Sequence, residues 1–166
     1  MPAPPEARLL PNLDDHFCFG CSPINPKGLQ MTFYALKDTV ASWVVIDEHY
    51  SGWRHVVHGG IIASMLDEIM GRGGLYLLKR LVMTKSLTLD FLSPVGVGEE
   101  LMVEGKVLER VDDRNAVMAG TLYNASGHAA ARAQGQFKLF TVDALRRRGG
   151  MDDHNLVAIG KLLQSL

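Results

Sequence analysis

The chain has 166 residues, 47% of them hydrophobic and 21% charged, with a formal net charge of −1. That length suits one domain with a sizeable core. The near-balanced charge removes the global electrostatic case for a nucleic-acid or anionic-membrane partner, and no run reaches the ~18 apolar residues of a membrane span. The N-terminus lacks a basic-then-apolar leader, so a cytoplasmic location is expected.

Residues 1–28 read as an extension, of which residues 1–15 are Pro-rich, polar and expected to be loosely attached. The segment Cys18-Phe19-Gly20-Cys21 holds both cysteines of the chain, with His16 close by. A four-cysteine zinc site within one chain is excluded, and a thioredoxin-like pair lacks its strand–helix context. A three-ligand or intersubunit metal site stays open. The simpler expectation is a tight turn with two half-buried thiols and no metal or other cofactor.

Strand alternation begins at residues 29–35, where Leu29, Met31, Phe33 and Ala35 share a face, and recurs at 40–47. A loop carrying Gly52, Trp53, Arg54 and His55 leads to His58. A long helix is then expected over 59–79, weakened near its end by Gly73-Gly74. At 100° per residue Gly60, Ala63, Ser64, Asp67, Gly71 and Gly74 form one stripe of the helix, while Ile61, Ile62, Met65, Leu66, Ile69 and Met70 cover most of the rest. Such a helix is buried. The small-residue stripe allows a close approach, and Asp67 is the one carboxylate on it. Strands follow at 82–92, 99–110, 116–123 and 129–139, with turns at Asp112-Asp113-Arg114-Asn115 and Ser126-Gly127. On the first of these, Thr84 has the parity of Ser86, Thr88 and Asp90, the polar set. Thr141 is a candidate cap for a short helix that Gly149-Gly150 stops, and a weak amphipathic segment over 154–165 ends the chain. The Arg146-Arg147-Arg148 run reads as a solvated helix end.

The order β-β-α-β-β-β-β puts one apolar helix against an antiparallel sheet. This is an α+β chain with the hotdog fold, its six-stranded sheet wrapped around a central helix. One domain is expected over 1–166, with an extension at 1–28, a core at 29–140 and a helical tail at 141–166. A single sheet covers one side of the helix, so the small-residue side is expected to meet a second subunit, in a homodimer or a dimer of dimers.

His58-Gly59-Gly60 followed at Asp67 resembles the HGG signature of hotdog-fold acyl-CoA thioesterases, the branch that includes phenylacetyl-CoA thioesterases. Cys18-Phe19-Gly20-Cys21, Asn25-Pro26-Lys27-Gly28-Leu29, Gly52-Trp53 and Leu66-Asp67-Glu68 resemble a bacterial subgroup of it, over about residues 16–140. Val82-Met83-Thr84 is similar to the segment that carries a catalytic Ser or Thr in some members. The resemblance implies hydrolysis of an acyl-CoA at a subunit interface, with Thr84 supplied by the partner subunit. It also places an Asn, in some relatives, six residues before the signature histidine, where this chain has Gly52.

The chemistry of these residue types agrees. Free N–H groups at a helix start carry partial positive charge, and glycines let a carbonyl reach them, so Gly59 and Gly60 are candidate oxyanion donors. Asp67 is a candidate general base on water or a direct nucleophile. His58 either hydrogen-bonds the carbonyl or fixes its loop. Gly52, Ser64, Met83 and Lys85 are the expected substrate contacts. Lys85, Arg72 and Arg114 are available to CoA phosphates, although each is more simply a surface charge. A non-catalytic acyl-CoA sensor on the same fold is the alternative. A hotdog hydratase is weaker, because no paired Asp/His motif is present.

Overall fold

A computed structural model describes residues 3–149 and 151–166. Its centre is α1 (Gly59–Leu78), which lies across a seven-stranded antiparallel sheet. The strands are β1 (Arg8–Leu9), β2 (Tyr34–Ala35), β3 (Val40–Val45), β6 (Leu81–Phe91), β7 (Glu100–Asp112), β8 (Asn115–Tyr123) and β9 (Ala129–Phe140), in the order β1-β2-β3-β7-β8-β9-β6. A separate ribbon, β4 (Ser51–Trp53) with β5 (Val56–Val57), precedes the helix. Two short helices, α2 (Val142–Arg148) and α3 (Asp153–Ser165), close the chain. This is the hotdog architecture, with one more strand in its main sheet than expected and the ribbon beside it.

The extra strand corrects the reading of the N-terminus. Residues 8–10 are tied down: β1 pairs with β2, Leu10 donates to the carbonyl of Phe33 at 2.8 Å, and its side chain is buried. The alternation over residues 29–35 holds, since Leu29, Met31, Phe33 and Ala35 are buried. Only its last two residues are a ladder strand, because the amides of Leu29 and Met31 instead donate to the carbonyls of Phe19 and Gly20. Gly149 caps α2 in the left-handed conformation as expected, while Gly150 lies outside the described residues.

Met65, Leu66, Ile69 and Met70 are fully buried beneath the sheet. Each contributes about 1.5–3 kcal/mol on burial. The approach is closest at two strand glycines. A Cβ on Gly105 would stand 2.7 Å from the Ile69 carbonyl oxygen, and one on Gly120 would stand 3.1 Å from Leu66. Gly73 faces Gly105 from the helix, but a Cβ there would keep 3.9 Å from it. The pair makes a prediction with opposite signs. Gly105→Ala is expected to lower stability by about 1–3 kcal/mol, since backbone must move. Gly73→Ala is expected to be neutral or to stabilise by up to about 1 kcal/mol through helix propensity. Urea unfolding of the two variants checks it. The helix runs on through the buried Gly73-Gly74 to Leu78, close to the expected end.

The stripe is only partly free. At Gly74 an added Cβ would strike Val82 of β6 and Met118 of β8, so that end is covered by the chain's own sheet.

Candidate functional site

The helix begins at His58, whose backbone is extended and whose ring Nδ1 accepts the Gly60 amide at 2.9 Å. That contact changes the expected oxyanion pair. Gly60 already donates to His58, whereas the Gly59 amide has no hydrogen bond among the described residues. The Phe91 ring would be 3.5 Å from a Cβ on Gly59. Gly52 packs against His58, so close that a Cβ there would sit 3.1 Å from it. Its missing side chain therefore leaves room for His58 to cap the helix.

Asp67 lies two turns further along. Thr84 Oγ1 donates to Asp67 Oδ1 at 2.7 Å, joining helix to strand within one chain. This corrects the expectation that the hydroxyl reaches Asp67 from a partner subunit. It also corrects the parity of Thr84. The β6–β9 register shifts between Thr84 and Ser86, a β-bulge at Lys85. The extra residue leaves Thr84 on the helix-facing side with Val82, paired to buried Phe137, while Ser86, Thr88 and Asp90 face outward. Burial pushes the Asp67 carboxyl above its ordinary range; the Thr84 hydrogen bond opposes the shift and the neighbouring Glu68 charge adds to it.

Asp67 and Thr84 open into a cavity of about 350 Å³. Gly71, Leu75 and Val82 line it from the helix and β6, and Ile159 and Leu162 from α3. The N-terminal loop supplies His16, Cys18 and Cys21 to its wall. The N-terminal loop and α3 therefore close over the middle of the stripe, which the sequence reading left to a partner subunit and substrate. The apolar spacing of Leu156, Ile159 and Leu162 was the available signal for α3.

The expected substrate contacts do not converge here. Ser64 Oγ donates to the Gly60 carbonyl at 2.9 Å, Lys85 Nζ donates to Gln136 at 3.3 Å, and Met83 is exposed on the opposite side of β6 from Thr84. With Gly52 they lie outside the cavity. Arg72 is likewise no free surface charge. It stacks on the Phe33 ring at 4.7 Å, donates to Asn12 and to Cys21 Sγ (3.1 Å), and pairs with Glu68 at 3.7 Å. The Cys21 thiol hydrogen-bonds Cys18 and holds the Cys18 thiol down to about 7; the same bond and burial push Cys21 up. A second, open cleft of about 670 Å³ gathers Arg80, Arg114, Lys138, Arg147 and Arg148 around a single acid, Asp113.

A family model described as the thioesterase superfamily matches residues 55–131, which include α1 and β6. A stretch of 57 residues is 40% identical to the acyl-coenzyme A thioesterase THEM4 of Xenopus laevis, covering 34% of this chain and 25% of that protein. A crystallised thioesterase superfamily protein is 28% identical with a TM-score of 0.65, over 70% of this chain and 57% of the other. The chain thus matches a quarter of the curated relative and little over half of that solved chain. The crystal structure of smu.793 from Streptococcus mutans, bound to acetyl CoA, is similar in fold with a TM-score of 0.61 at 17% identity, over 66% of this chain and 88% of the other.

Proposed function

We propose that this chain, which belongs to the thioesterase superfamily, hydrolyses an acyl-CoA to a carboxylic acid and free CoA at a site shared by two subunits. The observation that carries the reading is the half-buried Asp67 carboxylate, held by Thr84 at the edge of a cavity. Thr84 occupies Oδ1, which leaves Oδ2 to act as general base. A water attacks the thioester carbonyl carbon and gives its proton to Asp67. The tetrahedral oxyanion then collapses, the C–S bond breaks, and the CoA thiolate takes up the proton.

The oxyanion needs a donor that Asp67's own helix cannot place. Gly59 and Asp67 are eight residues apart, about 12 Å of helix. One carbonyl cannot touch both. A second copy with its helix antiparallel brings Gly59 of the partner subunit opposite Asp67, and the exposed edge of β6 offers a surface for that pairing. The basic cleft supports a phosphate-bearing substrate. Arg80 lies four residues along the chain from Thr84, about 13 Å if extended, within reach of a pantetheine arm. Arg147→Ala is therefore expected to raise KM more than it lowers kcat in steady-state assays.

Thr84→Val is expected to lower kcat about tenfold, the value of a hydrogen bond to a charged group. It also removes the contact that pulls the Asp67 pKa down. The acid limb of kcat then moves to higher pH, which a pH–rate profile reads. The function itself is tested by incubating the chain with acyl-CoAs from acetyl to long-chain and aryl, and quantifying CoA by chromatography. Release from at least one is the expected result. Tight binding without release would mark a sensor instead.

A further inference from the structure

The loop around Cys18 brings three metal-ligating side chains to one point. Donor atoms of His16, Cys18 and Cys21 lie within 4.8 Å of one another. The proposed hydrolysis uses none of them. The loop is held in shape from within. Ser22, completely buried, donates its amide to the Cys18 carbonyl at 3.1 Å and its hydroxyl to the His16 carbonyl, and the hydroxyl oxygen accepts from the amides of Ile24 and Asn25. From outside, the amides of Leu29 and Met31 hold the carbonyls of Phe19 and Gly20. The entropy of ordering the three side chains is thus largely met by folding.

His16 Nε2 is the atom that calls for a partner. It is buried and makes no hydrogen bond among the described residues. Leaving a ring nitrogen so costs about 1–3 kcal/mol. Its other nitrogen, Nδ1, accepts the Cys18 amide at 3.2 Å.

We propose that His16, Cys18 and Cys21 bind one zinc ion, with the fourth tetrahedral position open to the cavity that also holds Asp67. Two sulfurs and an imidazole are the ligand chemistry zinc takes, at about 2.3 Å to sulfur and 2.0–2.1 Å to nitrogen. Sulfurs on such a tetrahedron stand about 3.8 Å apart, so the cluster needs only small rotations to close. Binding releases both thiol protons to solvent. At His16 the ring proton moves to Nδ1, and the long Cys18 amide contact is given up. Two thiolates neutralise the ion. Arg72, which donates to Cys21 Sγ at 3.1 Å, adds no uncompensated positive charge, because Glu68 pairs with it. A hydrogen bond to a ligating sulfur is an outer contact such a site uses.

The test is metal content, with no reference to activity. The reduced full chain is loaded with zinc, dialysed against metal-free buffer and assayed, then repeated with cobalt as a spectroscopic probe. About one equivalent of zinc is expected to remain, with sulfur-to-cobalt charge transfer and tetrahedral ligand-field bands. Cys18→Ser, Cys21→Ser and His16→Asn, each checked by circular dichroism for native fold, are expected to lose retention at least tenfold. No retained zinc in the reduced wild type, a cobalt spectrum without sulfur ligation, or retention unchanged in the variants overturns the site. So does a Cys18–Cys21 disulfide whose reduction restores no zinc uptake. Because metal content is independent of CoA release, failure of either proposal leaves the other standing.

Discussion

An Asp67→Asn variant is expected to lose CoA release about 10²–10⁴-fold in kcat while its melting temperature at pH 7 rises. The substitution is nearly isosteric and keeps an oxygen for the Thr84 hydroxyl, so packing is retained. What it removes is basicity and charge. The two effects have a common cause in the raised pKa of Asp67, which comes chiefly from burial. The sign follows from linkage. A carboxyl whose folded pKa lies above its unfolded value of about 3.9 binds protons more tightly when folded. Its contribution to stability is full below the unfolded pKa and is lost as pH rises through the folded one. At neutral pH the ionised group therefore works against folding, and the neutral amide relieves that. The same shift places an acid limb on activity, which falls as pH drops through the folded pKa. A merely structural Asp67 would show the reverse pattern, with stability lost and kcat preserved. Calorimetry beside a steady-state assay separates the two.

Gly59→Pro is expected to cut kcat about 10²–10³-fold, the usual loss for one oxyanion donor, with the fold intact. Proline is the sharp probe because of where Gly59 sits. It is the first helical residue after the His58 cap, a position where proline is favoured and where the N–H has no helical partner to lose. His58 already has the extended backbone, with ψ at 135°, that a residue before proline requires. The substitution thus deletes one N–H and little else. Gly60→Pro makes the contrast, since it breaks the 2.9 Å contact to His58 and releases the cap. A lost cap costs about 0.5–2 kcal/mol of stability, which thermal unfolding reports.

The buried helix and its stripe were readable because helical period and residue size are local properties. Gly60, Asp67 and Gly74 sit on one side by geometry alone. The alternation of β8 and β9 was readable for the same reason. The position of Thr84 was not. A bulge depends on the register of β9 against β6, and counting by twos from Ser86 puts the hydroxyl on the wrong face. The cover over Asp67 was also hidden. The contact of Cys21 with Arg72 and the place of Leu162 in the cavity wall join residues far apart in the chain. Arg72 looked like a surface charge because Phe33 and Cys21 are brought to it only by the fold, while Glu68, four residues before it on the helix, is a local partner. Gly105 and Gly120 weaken the strand pattern locally; only the helix crossing them explains their presence.

The central claim is that one thioester is broken between Asp67 of one subunit and Gly59 of another. It is tested by mixing two inactive chains, Asp67→Asn and Gly59→Pro, unfolding and refolding them together, and measuring CoA release. Random pairing leaves one intact site in each mixed dimer, and roughly a quarter of wild-type activity is expected to return. A mixture as inactive as its two components, with mixed dimers shown to form, contradicts the claim.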